Sequence, residues 1–510
     1  MAFDAKRARD FVEAAWRYAD HRIGDRHPEK NGPLVNALEE YIEVPNLSPA
    51  YDAAWAENSS MDRAVALLTD WVERLKKEWA EKGCKTDDVR TRVVGGPENP
   101  EMDGGKRRTP LVVVEVPAFG DPCAEGTILL YGHLDKQPHL DRALWTDEFD
   151  PVKPVIKEGR LYGRGGADDG YALFGALAAL MALREQGTPH ARAVIVIEAG
   201  EESGSPDLEY YIEKISADLG DVTLIVCLDS GCGNYDQLWT TNALRGLVSG
   251  VLTVNVLTEG IHSGEASGAV PSSFRILRQL LSRVEDEETG EVKSHALKVV
   301  IPTNIRDAAK RSVDVLGPSV YRKYPFVDGG VKPVDPDPVE VMLNRTWRTQ
   351  LAVIGMDGLP KPEGAGNVML PHTRAALSFR LPPTLDSGAA ATAIEKILET
   401  DPPYGAHVSF ETLDHGNGWA AVEVADWLRT ALEESSKEYF GTPPMQMGEG
   451  GSIPFMDMLA QKFPRAQFMI TGVLGPGSNA HGPKEFLDIP TVQKLTASVA
   501  RVIAGHADNA

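Results

Sequence analysis

The chain has 510 residues, of which 42% are hydrophobic and 25% are charged, as in an ordinary globular protein. This composition excludes a disordered, collagen-like or disulfide-scaffold protein, and the length predicts two or three domains. Lysine and arginine total 52 against 74 aspartates and glutamates, which gives a formal net charge of −22. Because such a surplus repels phosphate groups, we expect no binding to nucleic acids or to membranes.

The cysteines indicate a cellular compartment. Cys84, Cys123, Cys227 and Cys232 form no C-x-x-C pair and no zinc-finger spacing, and such sparse usage is typical of a reducing compartment. The first twenty residues lack the apolar core of a signal peptide, and no segment reaches about 18 consecutive apolar residues. We therefore predict a cytoplasmic protein without a transmembrane helix.

The first half of the chain predicts an α/β fold. The first 85 or so residues have helical periodicity. From Val89 onward, short apolar runs bounded by Gly, Pro and Asp predict strands at 111–116, 127–135, 193–202 and 223–230. Residues 170–186 are apolar on nearly every face and predict a buried helix. Strands that alternate with helices indicate a mostly parallel sheet flanked by helices.

The pattern changes after Arg245. Strand-like and amphipathic helical segments then alternate and predict a smaller α+β domain, at 246–257, 271–286, 374–381, 386–399 and 407–413. Residues 325–338 have no periodicity and predict a loop or insertion. We assign residues 1–245 and 415–510 to the first domain and residues 246–414 to a domain inserted into it.

Acidic and imidazole side chains follow the predicted strands of the first domain. They stand at strand ends, in a Gly-rich turn before the buried helix and in a loop after the last strand: His133, Asp135, Asp168, Asp169, Glu201, Glu202, Asp229 and His481. Because ligands of open α/β sheets bind beyond the carboxyl ends of the strands, we expect these side chains to converge.

A metal centre explains such a group. Buried carboxylates cost several kcal/mol each unless they are paired or bound to metal, and no equal set of Lys or Arg accompanies them. Imidazole and carboxylate ligands suit zinc, manganese or cobalt, and this number of ligands suits two metals about 3.5–4 Å apart. For each residue alone, a capping or turn-forming role is the alternative; Asp169 would then favour the helix N-terminus through the helix dipole.

Seven ordered segments resemble one family, namely YGHLDKQP (131–138), GRLYGRGGADDG (159–170), EAGEESGS (198–205), CLDSG (227–231), HSG (262–264), GEGGSIP (448–454) and AHGPKE (480–485). They resemble the M20 metallopeptidases, in particular the dipeptidases of the carnosinase and cytosolic nonspecific type. The resemblance implies a di-metal aminopeptidase-like catalytic domain with an inserted ferredoxin-like domain that serves as lid and dimerisation domain.

The resemblance also implies the ligands of two divalent metal ions, most often zinc, with manganese or cobalt as alternatives. His133 and Asp229 would bind one metal, and Glu202 and His481 would bind the other. Asp168 would bridge the two metals, and the peptide bond that follows it would be cis.

Two carboxylates are implied to assist catalysis. Asp135 would orient His133. Glu201 would act as the general base, which takes a proton from the metal-activated water and returns it to the leaving amine.

The remaining implied site residues contact the substrate. His262 would reach the active site of the partner subunit in a homodimer and donate a hydrogen bond to the oxyanion. Arg380 would bind the substrate carboxylate, a task that suits a planar guanidinium. Asn367, Gly451 and Ser452 would also contact the substrate.

We therefore expect a two-metal hydrolase that cleaves dipeptides or similar small peptides. An N-acyl amino-acid deacylase or a carboxypeptidase of the same fold is one alternative, and a non-catalytic metal-binding scaffold is another. The chain departs from the family at two places. Gly170-Tyr171 stand where Lys-Gly is common, and Gly448 stands where the dipeptidases often have Arg. Both departures bear on substrate preference.

Overall fold

The computed structural model of the protein describes residues 2–81, 86–120, 125–327, 329–451, 453 and 455–509. The helices of the described residues are α1 (Ala5–Ala15), α2 (Pro33–Ile42), α3 (Ser60–Glu81), α4 (Ala172–Gln186), α5 (Leu208–Lys214), α6 (Ser216–Leu219), α7 (Ser263–Ala266), α8 (Ser273–Val284), α9 (Thr303–Leu316), α10 (Ser319–Arg322), α11 (Pro338–Thr346), α12 (Ser387–Glu399), α13 (Asp426–Ser435), α14 (Phe455–Lys462) and α15 (Ile489–Ala507).

The strands of the described residues also occur along the whole length of the chain. They are β1 (Arg90–Val94), β2 (Met102–Asp103), β3 (Lys106–Arg107), β4 (Leu111–Val116), β5 (Thr127–His133), β6 (Val155–Lys157), β7 (Arg160–Tyr162), β8 (Arg192–Glu198), β9 (Val222–Cys227), β10 (Trp239–Leu244), β11 (Gly246–Asn255), β12 (Ile261–His262), β13 (Gln350–Asp357), β14 (Val368–Met369), β15 (His372–Leu381), β16 (His407–Gly416), β17 (Trp419–Ala420), β18 (Met445–Glu449), β19 (Gln467–Ile470) and β20 (Phe486–Asp488).

The chain divides into two compact units. Unit 1 consists of Met1–Thr241, Ala421–Gln446 and Met458–Ala510, and unit 2 consists of Asn242–Ala420 and Met447–Asp457. Among the described residues, no helix combines the length and the apolar character needed to cross a membrane. Cys227 and Cys232 are buried, and the other two cysteines lie outside the described residues.

Unit 1 is built on a six-stranded sheet with the order β1-β4-β8-β5-β9-β19. Strands β8, β5, β9 and β19 are parallel to one another, whereas β1 and β4 pair antiparallel at one side. The predicted α/β fold with a mostly parallel sheet is therefore confirmed. Because β5, β8 and β9 are parallel, their carboxyl ends lie at the same edge of the sheet.

Helix α4 packs against β5 and β8 on one side and against α1 and α15 on the other. Every residue of α4 except Glu185 is buried, which agrees with its apolar sequence on nearly every face. The helix begins at Ala172, because Gly166–Gly170 form a tight turn ahead of it. The predicted acidic pair lies in this turn.

Gly132 in β5 allows the strand to approach the start of α4 closely. A Cβ atom at this position would overlap the Cβ of Ala172 and would lie 2.7 Å from Oδ2 of Asp169. Only glycine fits between them, so the turn before α4 is held beside the last residue of β5, His133.

Unit 2 contains an antiparallel four-stranded sheet with the order β13-β15-β11-β16. Along the chain, β11, α8, β13, β15, α12 and β16 follow the β-α-β-β-α-β order of the ferredoxin-like topology. Burial alternates along β11 and β15, and their buried side chains pack with α8 and α12 in one core, as seen for Val248, Leu252, Ile276, Leu377 and Ile394.

A helical segment lies between α8 and β13. Its helices α9, α10 and α11 share a separate small core with buried Val320, Val341, Leu343 and Trp347. Of the stretch 325–338 that predicts a loop or insertion, the described residues up to 337 form neither helix nor strand, and Pro338 begins α11.

Candidate functional site

His133 lies at the carboxyl end of β5 and is only 1% exposed. Its Nε2 is 3.4 Å from Oδ1 of Asp168 and 3.9 Å from Oδ2 of Asp229. Asp168 comes from the turn before α4, and Asp229 follows the end of β9. Three segments of unit 1 therefore bring one imidazole and two carboxylates together.

His481 contributes a second imidazole. Its Nε2 is 3.0 Å from Oδ2 of Asp168 and 3.3 Å from Oε2 of Glu202. The side chain of His481 is 55% exposed, whereas those of Asp168 and Glu202 are almost fully buried. All five predicted metal ligands thus converge, and Asp168 presents one carboxylate oxygen to each histidine.

Asp135 connects the first histidine to the segment after β8. Its carboxylate oxygens accept hydrogen bonds from the backbone N–H groups of Glu201 at 3.1 Å and Glu202 at 3.0 Å. Its carbonyl oxygen lies 3.1 Å from Nδ1 of His133. Because a carbonyl oxygen can only accept a hydrogen bond, Nδ1 carries a proton, and Nε2 is the nitrogen that faces the carboxylate of Asp168.

Asp169 is a component to which the sequence assigned no metal role. Its Oδ2 accepts a hydrogen bond from the backbone N–H of His133 at 3.3 Å. Ligand atoms of His133, Asp169 and Asp229 lie within 4.8 Å of one another, as do those of His133, Asp168 and Glu202. The sequence feature that could have identified Asp169 is its place as the second acid of a pair, shortly before a helix that is apolar on nearly every face. The peptide bond between Asp168 and Asp169 is cis, as expected.

Glu485 is a second component that the sequence did not predict, although it ends the last motif, AHGPKE. It is fully buried and accepts four hydrogen bonds from one turn. Nη1 of Arg164 donates at 2.7 Å and the backbone N–H of Gly165 at 3.1 Å, both to Oε2, while Ala167 at 3.1 Å and Asp168 at 3.2 Å donate to Oε1. Glu485 therefore fixes the backbone that carries the central carboxylate.

The acids of the site differ in their pKa values. Burial raises the pKa of Asp229 to about 7, and burial together with Asp229 holds the pKa values of Glu201 and Asp169 well above their usual range. Burial would also raise the pKa of Asp168, but its hydrogen bonds with both histidines outweigh burial and lower it. This pattern reflects a concentration of negative charge in a buried place.

The histidines respond in the opposite direction. Burial alone would lower the pKa of His133, but hydrogen bonds to Asp135 and Asp168 hold it well above its ordinary value. Likewise, Asp168 and Glu202 raise the pKa of His481 to about 11 against the effect of burial. Both imidazoles therefore lie where the protein stabilises positive charge.

The residues present fit divalent metal. Two buried carboxylate oxygens, Oδ1 of Asp169 and Oε1 of Glu202, have no hydrogen-bond partner within the described residues. A buried oxygen without a partner is costly unless a cation satisfies it. The donors are imidazole nitrogen and carboxylate oxygen, which zinc, manganese and cobalt accept.

The structure explains one departure from the family pattern. A Cβ atom at Gly170 would overlap the ring of Tyr41, so no larger side chain fits there. Tyr171 is buried instead, and its hydroxyl donates a hydrogen bond to the carbonyl oxygen of Leu228, next to Asp229. The residue pair thus supports the segment after β9.

Unit 2 brings two of the other predicted residues together. His262 in β12 pairs with Val368 in β14, and the carbonyl oxygen of Asn367 accepts a hydrogen bond from Ser263 N–H at 2.8 Å. Both His262 and Asn367 are exposed. Nδ1 of His262 accepts a hydrogen bond from the backbone N–H of Gly264 at 3.1 Å, which leaves Nε2 as the outward-facing nitrogen.

Arg380 and Gly451 belong to another part of unit 2. Arg380 lies in β15 opposite Leu247, and burial lowers its pKa. The carbonyl oxygen of Gly451 accepts a hydrogen bond from Arg245 N–H at 3.1 Å. Arg245 also lies within electrostatic range of Arg380. Ser452 lies outside the described residues.

Three of the curated proteins that are similar to this chain are dipeptidases by name. The cysteinylglycine-S-conjugate dipeptidase of Corynebacterium striatum is 28% identical over 388 residues, which cover 74% of this chain and 80% of the relative. The Cys-Gly metallodipeptidase dug1 of Schizosaccharomyces pombe is 24% identical over 490 residues, covering 91% and 94%. The Beta-Ala-His dipeptidase of Homo sapiens is 24% identical over 459 residues, covering 88% and 86%.

Solved structures show the same fold. Human carnosine dipeptidase 1 matches with a TM-score of 0.73 and 20% identity over 99% of both chains. The dipeptidase Dug1p from Saccharomyces cerevisiae matches with a TM-score of 0.68 and 20% identity over 100% of this chain and 99% of that chain. The family model of peptidase family M20/M25/M40 matches residues 129–505. The chain therefore belongs to peptidase family M20/M25/M40, and it is a metallopeptidase, as the resemblance of its motifs implied.

Proposed function

We propose that this metallopeptidase hydrolyses dipeptides and uses two bound divalent metal ions to do so. We propose zinc for both ions, with manganese or cobalt as the alternatives. The observation that carries the proposal is the position of Asp168, whose Oδ1 is 3.4 Å from Nε2 of His133 and whose Oδ2 is 3.0 Å from Nε2 of His481. One carboxylate between two imidazoles suits a bridging ligand. The names of the relatives, three dipeptidases, support a dipeptide as substrate.

The ligands would divide into two sets. His133 and Asp229 would hold one metal, Glu202 and His481 would hold the other, and Asp168 would be shared between them. Bound divalent metal supplies Lewis-acid polarisation of the carbonyl and lowers the pKa of water toward neutrality. Asp135 would keep His133 in the tautomer that binds metal, because its carbonyl oxygen accepts the Nδ1 proton.

Glu201 would act as the general base. Its carboxylate would take a proton from the attacking water and later return it to the nitrogen of the leaving amine. The hydrogen bond from Glu201 N–H to Asp135 supports this role, because it fixes the backbone from which the base projects. Burial raises the pKa of Glu201, and carboxyl groups with raised pKa values are typical of catalytic sites.

Residues 246–414 would form the lid and dimerisation domain of a homodimer. His262 would reach the partner subunit's site and donate a hydrogen bond to the developing oxyanion. Arg380 would bind the substrate carboxylate, and Asn367, Gly451 and Ser452 would line the substrate site. Arg380 is half-buried, and its planar guanidinium suits recognition of a carboxylate. The sparse cysteines support a cytoplasmic location.

A substrate panel tests the proposed function. Metal-supplemented protein is assayed with Cys-Gly, β-Ala-His and other dipeptides, with N-acetyl amino acids and with longer peptides. We expect dipeptides to be hydrolysed with the highest kcat/KM. Preferred hydrolysis of acylated amino acids would instead assign a deacylase, and removal of single residues from longer peptides would assign a carboxypeptidase.

A variant of the base tests the mechanism. Glu201→Gln should lower kcat by about 10²–10⁴-fold, the usual contribution of general acid–base catalysis, and should retain the metals. The control is Glu209→Gln, which changes an exposed glutamate on α5. Activity of Glu201→Gln equal to that of the control would contradict the mechanism, and a metal-loaded protein inactive on every substrate would favour the scaffold.

A further inference from the structure

Unit 2 contains a cavity of about 320 Å³ beside the helical segment that precedes β13. Tyr321, Tyr324, Phe326 and Val341 contribute an aromatic and aliphatic wall. The charged residues among the described lining are all cationic, namely Arg245, Arg345 and Lys332. A cavity with an apolar wall and cationic groups alone differs from a solvated surface, where charges of both signs mix.

Arg245 lines this cavity and has a buried hydrogen-bond donor without a partner among the described residues. Its Nε donates a hydrogen bond to the carbonyl oxygen of Gly450 at 3.0 Å. Its Nη1 is buried and has no hydrogen-bond partner among the residues that the structure describes. Burial, followed by the charges of Arg380 and Arg345, lowers the pKa of Arg245 to about 9. A guanidinium in such surroundings is stabilised by an anion.

Arg345 also lines the cavity and lies in the last turn of α11. Its guanidinium carbon is 5.9 Å from the centroid of the Tyr324 ring. In the described part of the chain, no carboxylate oxygen lies within 4 Å of the nitrogens of Arg245 or Arg345. Glu449 acts on Arg345 electrostatically but forms no ion pair with it over the same residues.

A neighbouring cavity of about 650 Å³ shows the contrast. Its cations are already paired: Arg348 lies 2.5 Å and Arg306 3.8 Å from Glu340, and Lys298 lies 2.7 Å from Glu291. The cations of the larger cavity are therefore neutralised by carboxylates of the same cavity. Both cavities border α11, but Arg245 and Arg345 of the smaller one form no such ion pairs within the described residues.

We propose that the smaller cavity binds a small organic carboxylate with an apolar body. The carboxylate would accept hydrogen bonds from Arg245 and Arg345, and the apolar body would contact Tyr324 and Phe326. The volume of the cavity, about 320 Å³, suits a ligand of roughly amino-acid size. The carboxylate could come from the end of a peptide substrate or product, or from a separate free acid.

A binding measurement on the full-length, metal-free protein tests this site without any turnover. The probe is 3-phenylpropionate, with neutral 3-phenylpropanamide as its matched control. We expect the acid to bind and the amide to bind much more weakly. Arg245→Gln and Arg345→Gln should each weaken binding of the acid about 10- to 100-fold, the usual value of a hydrogen bond to a charged group.

Arg278→Gln is the control variant, because Arg278 is exposed on α8, and it should leave binding unchanged. Two independent arginine variants guard against local misfolding, which circular dichroism checks. No binding to the unaltered protein, equal binding of acid and amide, or equal binding to both arginine variants and the control would overturn the proposal.

The source of the carboxylate follows from kinetics on the metal-loaded enzyme. Competitive inhibition of dipeptide hydrolysis by 3-phenylpropionate, lost in Arg345→Gln, supports the end of a peptide as ligand. A non-competitive effect that Arg345→Gln removes supports a separate free acid. If the enzyme hydrolyses no dipeptide, the binding result still decides the site, so this inference and the proposed function fail separately.

Discussion

The buried carboxylate of Glu485 accepts a hydrogen bond from the backbone N–H of Asp168, with 3.2 Å between the nitrogen and Oε1. The same carboxylate pairs with Arg164 at 2.7 Å, and neither side chain is more than 1% exposed. Asp168 is the proposed bridging ligand. Its position therefore depends on the carboxylate of Glu485, which is not itself one of the proposed ligands. Such supporting carboxylates tune metal sites as strongly as some ligands do.

Replacement of Glu485 by glutamine should therefore weaken metal binding. The amide keeps the shape, but its NH2 group would face N–H donors and its neutral charge would leave Arg164 buried and unpaired. We expect metal affinity to fall about 10- to 100-fold and the free energy of unfolding to fall by about 3–5 kcal/mol. Metal titration and urea unfolding measure the two effects.

The control for this variant removes an exposed pair of the same type. Glu185→Gln breaks the contact with Arg7, 3.1 Å away, where both side chains are at least 36% exposed. We expect a loss of about 1 kcal/mol or less and no change in metal affinity. Unchanged metal affinity in Glu485→Gln would refute its positioning role.

Gly170 should not tolerate a side chain. A Cβ atom there would overlap the ring of Tyr41 and lie 2.5 Å from the carbonyl oxygen of Gly165. Gly170→Ala should destabilise the protein by about 1–3 kcal/mol, as overpacking does. The control is Gly364→Ala, where a Cβ atom has no neighbour within 4 Å. Thermal unfolding measures the stability of both variants. Equal melting temperatures for the two would contradict this prediction.

Much of the candidate metal centre could be predicted from the sequence, because its residues follow strands whose apolar runs are easy to recognise. His133 ends β5, and Asp229 lies two residues beyond β9. Parallel strands then imply that the side chains meet at one edge. The family resemblance added the cis peptide bond after Asp168, which the structure contains.

Other features depend on tertiary contacts that no local pattern encodes. Glu485 meets the turn that contains Asp168 from more than 300 positions away in the chain. Asp169 touches β5 only because Gly132 has no side chain. The smaller cavity of unit 2 depends on how α11 packs beside Arg245. The residues before α11 have no periodicity, so this packing could not be predicted from the sequence.

His262 provides a test of the proposed homodimer. His262→Ala and Glu201→Gln should each be nearly inactive, because one lacks the proposed oxyanion donor and the other lacks the proposed base. If His262 acts across a two-fold interface, mixed dimers contain one complete site, and an equal mixture should regain about a quarter of the unaltered activity. Activity is measured after subunit exchange, verified with two differently tagged chains. No recovery would show that His262 does not act in the partner's site.

Glu198 should make stability depend on pH. Burial raises its pKa to about 8, although hydrogen bonds from Tyr131 at 2.6 Å and Ser205 at 2.8 Å oppose the shift. Between pH about 4.3 and about 8, the folded state keeps a proton that the unfolded state releases. Raising the pH through this window therefore lowers the free energy of unfolding, by up to about 1.4 kcal/mol per pH unit.

Glu198→Gln removes this titration and should flatten the decline. Urea unfolding of metal-free protein at several pH values between about 5 and about 8 measures the slope. Acids shared by both proteins, such as Asp229, contribute equally, so the difference in slope isolates Glu198. Glu209→Gln, on the surface, should keep the original slope, and an identical slope in Glu198→Gln would contradict the assignment.

Asp168 is proposed to be shared by two metal positions. The most direct measurement is the number of metal equivalents bound per chain, by elemental analysis, in the unaltered protein and in Asp168→Asn. We predict two equivalents in the unaltered protein and the loss of at least one in Asp168→Asn, because an amide bridges two cations poorly. A single equivalent in the unaltered protein, or two equivalents retained by Asp168→Asn, would contradict the account.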